Sequence, residues 1–63
     1  MRYLYAKNPK QLDICLRLLY AEHTNFRVEV QETIKQKIVY VIYVETTGDK
    51  MASIEEKYRI LIS

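Results

Sequence analysis

Cys15 and His23 are the only thiol and the only imidazole of this chain, so any nucleophilic Cys–His pair would have to join them. The segment that contains both is predicted to be a single helix. Eight residues at about 1.5 Å per residue then hold the two side chains ~12 Å apart, too far for a hydrogen bond. Cys15 belongs to the apolar stripe of that helix and is predicted to pack in the core. His23 is interpreted as a residue near the helix end that compensates the helix dipole.

Other residue types that support catalysis or metal binding are scarce. Glu55 and Glu56 form the tightest carboxylate pair, but adjacent helical positions diverge by about 100°, which favours a solvated face over a shared substrate. A structural zinc site needs about four Cys or His ligands, and a phosphate-binding loop needs several glycines, whereas the chain has one Cys, one His and one Gly. We therefore predict no enzyme activity, no metal site and no cofactor.

The bulk composition is that of one small folded domain spanning residues 1–63. Hydrophobic residues make up 49% and charged residues 29% of the chain, with one Gly and one Pro, which is not the composition of a disordered segment. The net charge of +2 comes from scattered residues and does not form the basic stripe of a dedicated nucleic-acid binder. No signal peptide or membrane-spanning run is visible and the Cys is unpaired, so a cytoplasmic location is expected.

The hydrophobic periodicity predicts an α+β domain with the element order βαββα. Asn8 as N-cap, Pro9 at the first helical position and Gln11 three residues after the cap predict a helix start. The predicted elements are strands at 2–6, 26–31 and 38–45, a helix from Asn8 to about His23, and a closing helix from about Lys50 with Ser53 and Glu56 as a capping box. The alternative is a fourth strand at 58–62, which would give the ferredoxin-like order βαββαβ.

The third predicted strand, 38–45, is apolar on both faces, which is typical of the centre of a sheet. A crossover helix joins the first and second strands, so those two are expected to lie parallel as near neighbours. The third strand fits between them. We therefore predict a three-stranded sheet in the order 1-3-2 with both helices on one face.

Alternate residues of the third strand must point to opposite faces of this sheet. We place Ile38, Tyr40, Ile42 and Val44 under the helices, aligned with Phe26, Val28 and Val30 of the second strand, because the charged Glu45 then lies outside. A one-residue slip would exchange the two sets. Either set leaves at least three large apolar or aromatic residues on the side without helices.

That helix-free face is the candidate interface of the chain, since contiguous exposed apolar patches usually mark interaction sites. Its predicted members are Tyr3, Tyr5, Arg27, Val39, Val41 and Tyr43, with Glu29 and Gln31 at the border. The expected function is self-association, as a homodimer, or binding of a protein partner. The alternative is single-stranded nucleic-acid binding by base stacking on the tyrosine rings. A small-molecule site formed between paired domains would leave no motif in a single chain and also stays open.

The segment Leu4-Tyr5-Ala6-Lys7-Asn8 resembles the first-strand signature of the RNA-recognition motif, which implies Tyr5 as a stacking ring. The third strand departs from that family. Residues 37–41 supply Ile and Val where the family has Gly and an aromatic residue. Because the resemblance is limited to five residues, no family is assigned from the sequence.

Overall fold

A computed structural model describes residues 2–63 and contains the five predicted elements in the predicted order. The C-terminal segment is helical to Ile62, so the ferredoxin-like alternative with a fourth strand is not adopted. The strands are β1 (Arg2–Ala6), β2 (Asn25–Glu32) and β3 (Ile38–Glu45), and the helices are α1 (Pro9–Ala21) and α2 (Gly48–Ile62).

The sheet has the predicted order β1-β3-β2, with β3 antiparallel to both neighbours. The strands at the two edges therefore run parallel to each other, as the crossover through α1 requires. Leu4 and Val28 lie opposite Ile42 from either side, and Ile42 is fully buried in the core. Directly opposed residues share a face, so the choice of Ile38, Tyr40, Ile42 and Val44 for the helix side is confirmed.

Helix α1 begins as its sequence predicts. The Asn8 side-chain oxygen accepts a hydrogen bond of 2.8 Å from the Gln11 backbone N–H, and Pro9 occupies the first turn, where its missing N–H costs nothing. The Gln11 side chain reaches one residue further back than a capping box predicts. It accepts from the backbone N–H of Lys7 at 3.0 Å, which ties the end of β1 to the helix.

Helix α1 ends at Ala21, two residues earlier than predicted, because the backbone of His23 turns left-handed with φ 53°. The His23 N–H donates to the Tyr20 carbonyl and the Thr24 N–H to the Leu19 carbonyl, both at 3.1 Å. This is the Schellman arrangement, which satisfies carbonyls that the helix leaves unpaired. His23 therefore closes the helix through its backbone conformation.

Helix α2 begins at Gly48 and is capped by Thr47, whose side-chain oxygen accepts from the Lys50 N–H at 3.3 Å. The predicted capping box was wrong, since Ser53 and Glu56 both lie inside the helix. The cap was missed because Thr47 was interpreted only as the end of β3.

Glu22 joins the two helices at the end of α1. Its carboxylate pairs with the Lys57 ammonium at 2.5 Å, and its backbone carbonyl accepts from Lys50 Nζ at 2.7 Å. The hydrogen bond from Lys57 lowers the pKa of the Glu22 carboxyl below its usual value of 4.5. Both lysines come from α2, so this contact fixes where α2 lies along α1.

The β2–β3 hairpin closes through residues 33–37. The Thr33 N–H donates to the Lys37 carbonyl at 2.8 Å, the Gln36 N–H donates to the Thr33 carbonyl at 2.9 Å, and Gln36 takes a left-handed conformation with φ 60°. Thr33 and Lys37 thus form a hydrogen-bonded pair, and such pairs alternate along an antiparallel ladder. The odd-numbered residues of β2 therefore bond to β3, and the even-numbered ones direct their N–H and C=O groups to the open edge.

The core lies between the sheet and the two helices, and it is centred on β1 and β3. Its fully buried large side chains are Leu19, Ile42, Ile54 and Cys15. The two helices pack on each other, and α1 packs on β1 more closely than on β2. The prediction that Phe26, Val28 and Val30 are buried is therefore only partly right. All three lie on the helix side, but Phe26 is half-buried while Val28 and Val30 are 36% and 62% exposed.

Candidate interaction surface

The helix-free face of the sheet is assembled from cross-strand rows. Tyr43 lies in the centre of one row, opposite Tyr3 of β1 on one side and Arg27 of β2 on the other. Val41 is the centre of the next row, opposite Tyr5 and Glu29. The register therefore brings together on this face every residue that the sequence assigns to the candidate interface.

Beyond these rows the face narrows to two strands. Val39 lies opposite Gln31, and β1 contributes nothing there because its last residue, Ala6, pairs with Tyr40. Val39 is half-buried all the same. The helix-free face is thus widest at its tyrosine end and tapers toward the hairpin.

The rings of Tyr3, Tyr5 and Tyr43 pack edge to face and form a tyrosine cluster on this surface. The ring centroids of Tyr3 and Tyr5 are 5.1 Å apart at an angle of 75°, and those of Tyr3 and Tyr43 are 6.3 Å apart at 63°. These are favourable T-shaped contacts. Tyr3 and Tyr5 stay 45% and 53% exposed, so apolar ring surface faces the solvent.

Val41 differs from the other candidate residues because only 3% of it is exposed. It lies on the helix-free face and is not part of the core cluster between sheet and helices. Larger side chains in its own row and the rows beside it, such as Tyr5 and Tyr43, cover it. Val41 therefore supports the surface from below and is not itself available for contact.

Arg27 borders the tyrosine cluster and is fixed in two directions. Its guanidinium carbon lies 4.9 Å from the centroid of the Tyr43 ring, a cation–π distance, and its Nη2 lies 3.7 Å from a carboxylate oxygen of Glu29. Both charged side chains are well exposed, so this pair adds little stability on its own. Its position matters more: it lies at the open edge of β2.

The phenol of Tyr5 is uncharged at neutral pH. Hydrogen bonding to the Tyr3 side chain and repulsion by an ionised Tyr3 raise the pKa of Tyr5 above its usual value of 10.0. The Tyr5 phenol can therefore donate or accept hydrogen bonds while its ring presents apolar area. Surfaces of this mixed character are enriched at protein interfaces.

The thiol and the imidazole do not form a second site. Cys15 is fully buried, and this burial raises the pKa of its thiol to about 11, which leaves it protonated and a poor nucleophile. His23 is exposed at the end of α1. Within residues 2–63, no group of three or more His, Cys, Asp or Glu side chains is placed to hold a metal ion.

A second apolar area was missed by the sequence analysis. It lies on the helix side of the β2–β3 hairpin and consists of Val28, Val30 and Ile38, the last 57% exposed. A signal for part of it was present in the lengths of the strands. The eight-residue β3 extends past the five-residue β1, so Ile38 lies beyond the last row that includes β1. The strand lengths do not predict the exposure of Val28 and Val30, which lie in the rows of Leu4 and Ala6 but on the β2 side of the sheet.

Comparison with known proteins gives no family for this chain: no family model, no curated protein and no solved structure matches it. Among residues 2–63, neither helix is long and apolar enough to cross a membrane.

Proposed function

We propose that this chain is a small non-enzymatic protein-interaction domain that binds a second copy of itself or a partner protein through its helix-free face. The observation that carries the proposal is the tyrosine cluster. Tyr3 and Tyr5 expose about half of their area on a face over which residues 2–63 place no helix or loop. Tyrosine rings that are already packed against each other lose little conformational entropy on binding, which makes them effective contacts.

A binding function also agrees with the state of the chain's reactive groups. The thiol is buried and protonated, and the exposed Tyr5 is a neutral phenol. The exposed charges beside the Tyr43 ring, Arg27 and Glu29, lie 3.7 Å apart and offset each other. The surface therefore offers shape, apolar area and hydroxyl groups, which favour recognition of a protein surface.

Single-stranded nucleic acid is the weaker candidate for the same face. Stacked bases need open ring faces, but the three rings meet edge to face and Arg27 covers one face of Tyr43. The charge of Arg27, the cation over the Tyr43 ring, is also offset by Glu29 at 3.7 Å. The remaining open rings, Tyr3 and Tyr5, lie at an angle of 75° and do not form a continuous stacking platform.

The test places a photo-crosslinking amino acid at Tyr5 in the full chain, with the same amino acid at Tyr20 as the matched control. Tyr20 is 69% exposed, but it lies on α1 on the opposite side of the sheet. We expect the Tyr5 probe to crosslink to a second copy or to one defined protein. We expect a double Tyr3→Ser, Tyr5→Ser variant to lose the same complex in size-exclusion chromatography with light scattering.

The competing outcomes are distinct. Crosslinks that are equal at both positions, together with a monomeric protein that the serine variant leaves unchanged, would contradict the proposal. A fluorescent single-stranded oligonucleotide tests the nucleic-acid function. Binding at low salt that weakens steeply as salt rises and is lost in the serine variant would favour it over protein binding.

A further inference from the structure

The outer edge of β2 is the least protected part of the sheet. It presents the backbone N–H and C=O groups of the even-numbered residues Phe26, Val28, Val30 and Glu32, because the odd-numbered ones are bonded to β3. The strand is eight residues long and contains no Pro. Long edge strands without Pro or a bulge readily pair with another strand.

The opposite edge of the sheet has protection that β2 lacks. β1 is only five residues long, and its Tyr5 carbonyl accepts a hydrogen bond of 2.7 Å from the Tyr58 hydroxyl of α2. Helix α2 thus covers part of that edge. Any strand pairing between copies is therefore directed to β2.

The two faces of β2 carry features that a second β2 strand would complement. On the helix side, Val28 and Val30 are 36% and 62% exposed, with Phe26 beside them. On the helix-free side, Arg27 and Glu29 carry opposite charges two positions apart. A strand that carries opposite charges two residues apart can pair with an antiparallel copy of itself so that each charge lies opposite its counterpart.

We propose that two copies of this chain pair through β2, antiparallel, about a two-fold axis at Val28. In this register Arg27 lies opposite the partner's Glu29, and Glu29 opposite the partner's Arg27. Val28 lies opposite the partner's Val28 and Phe26 opposite the partner's Val30. The result is one six-stranded sheet in the order β1-β3-β2-β2-β3-β1.

Neighbouring registers are less favourable on charge or on apolar contact. An axis at Arg27 places two arginines opposite each other, and an axis at Glu29 does the same with two glutamates, which is destabilising. An axis at Val30 places Val28 opposite the partner's Glu32. Only the axis at Val28 pairs opposite charges on one face while it pairs apolar side chains on the other.

The backbone geometry is compatible with the same register. The outward groups belong to even-numbered residues, and the proposed register pairs even with even, so Val28 and Phe26 form hydrogen-bonded pairs with the partner's Val28 and Val30. Arg27 and the partner's Glu29 then form a non-hydrogen-bonded pair. Side chains lie closer in such pairs, which strengthens the contact between opposite charges.

This inference does not rest on the proposed function, because it uses the edge of β2 and not the helix-free face. The two-fold axis is perpendicular to the sheet, so both helix layers lie on one side. The two helix-free faces then form one continuous surface on the other side. Edge pairing and face binding can therefore occur together, and variants at different residues separate them.

The decisive experiment reverses charges in the full chain and measures mass by light scattering. The wild type is expected at twice the monomer mass of 7.6 kDa at micromolar concentration. Arg27→Glu alone and Glu29→Arg alone place like charges opposite each other twice, so each is expected to weaken the dimer by about tenfold or more. Both positions are exposed, so the monomer fold is expected to survive each reversal.

An equimolar mixture of the two single variants is expected to form a heterodimer at the concentrations at which the wild type forms its homodimer. In that pair each position 27 again lies opposite a position 29 of the other sign, because one chain carries two acidic side chains and the other two basic ones. The double variant is expected to form a homodimer again. Single variants that dimerise as well as the wild type, or a mixture that stays monomeric, would overturn the proposed register.

Amide hydrogen exchange gives a readout that needs no variant. In the monomer the N–H groups of Val28 and Val30 point to solvent, whereas in the proposed dimer they are hydrogen-bonded, so their protection is expected to rise with protein concentration. Free exchange at both positions at millimolar concentration would refute the edge dimer. A dimer that shows this free exchange and is lost in the Tyr3→Ser, Tyr5→Ser variant would instead be a dimer through the helix-free face.

Discussion

The two edges of this sheet contrast in how they are covered. At the β1 edge, α1 packs closely, Leu4 and Ala6 are buried, and the Tyr58 hydroxyl of α2 donates a hydrogen bond to the Tyr5 carbonyl. At the β2 edge, side chains of similar apolar character stay in contact with solvent, with Val30 62% exposed. The difference does not arise from the composition of the strands. It arises from the position of the helix layer, which is displaced toward β1.

The displacement follows from local connections. Only Lys7 and Asn8 separate β1 from α1, so the helix must start beside the end of β1. Helix α2 is then joined to α1 through Glu22 and its two lysine partners. The short connection and these contacts between the helices leave the helix side of β2 without a cover.

The largest expected effect is the difference in lost unfolding free energy between side-chain truncations in the core and at the β2 edge. Ile54→Ala removes a fully buried side chain where α2 faces the sheet and is expected to cost ~2–5 kcal/mol of unfolding free energy. Val30→Ala removes apolar atoms that are mostly in water and is expected to cost less than ~0.5 kcal/mol in the monomer. Urea unfolding followed by circular dichroism at low protein concentration measures both.

That comparison is made below the concentration at which β2 edges would pair. If Val30→Ala and Ile54→Ala lowered the free energy of unfolding by similar amounts, the β2 edge would be packed in the monomer. The two edges would then not differ in how they are covered. Val28→Ala is a matched second variant on the same edge.

A smaller effect is expected from the hydroxyl group that protects the β1 edge. Tyr58→Phe keeps the ring in the core but removes its hydrogen bond to the Tyr5 carbonyl, at an expected cost of about 1 kcal/mol. The same variant changes the alkaline stability. Burial raises the pKa of Tyr58 to about 12 from its usual value of 10.0, so the folded state disfavours the ionised phenol.

The sign of the pH effect follows from this raised pKa. The contribution of the protonated Tyr58 phenol to the free energy of unfolding is fully present below pH 10. It is lost as the pH rises from 10 toward 12, because the Tyr58 phenol of the unfolded chain releases its proton at a lower pH than that of the folded chain. The buried Cys15 adds a similar loss that starts nearer pH 9. The free energy of unfolding of Tyr58→Phe is expected to fall less steeply between pH 10 and 12 than that of the wild type. If the free energies of unfolding of the two proteins changed equally with pH, the pKa of Tyr58 would be the same in the folded and the unfolded chain.

Much of the fold follows from short sequence signals. The doubly apolar β3 predicted a central strand, and that position together with the crossover through α1 predicted the order 1-3-2. The choice of Ile42 and Val44 for the helix side followed from placing Glu45 outside. These features depend on periodicity and on neighbours in sequence, which one chain displays directly.

The burial pattern of the candidate surface was less predictable. Val41 was expected to be available on the helix-free face, but cross-strand neighbours such as Tyr5 bury it there. Val28 and Val30 were expected to be covered, but the helix layer does not reach them. Both results depend on how side chains distant in sequence meet, as Tyr58 and Tyr5 do across 53 positions, and hydrophobic periodicity carries no information about that.

The smallest expected effect concerns the hairpin turn at the end of the sheet that lacks helix cover. Gln36 takes a left-handed backbone conformation with φ 60°, which strains any residue with a side chain but not Gly. Gln36→Gly removes this strain, although the freer unfolded chain offsets part of the gain. The expected stabilisation is a few tenths to about 1 kcal/mol.

Gln36→Ala is the matched control, because it also removes the side chain but keeps the Cβ that causes the strain, so no gain is expected from it. Urea unfolding of both variants at low protein concentration measures the difference. A gain for Gln36→Gly alone would show that the open end of the hairpin is held by its turn and its ladder to β3. Equal stability of the two variants would mean that the left-handed conformation costs nothing there, and that contacts beyond the turn determine the shape of the hairpin.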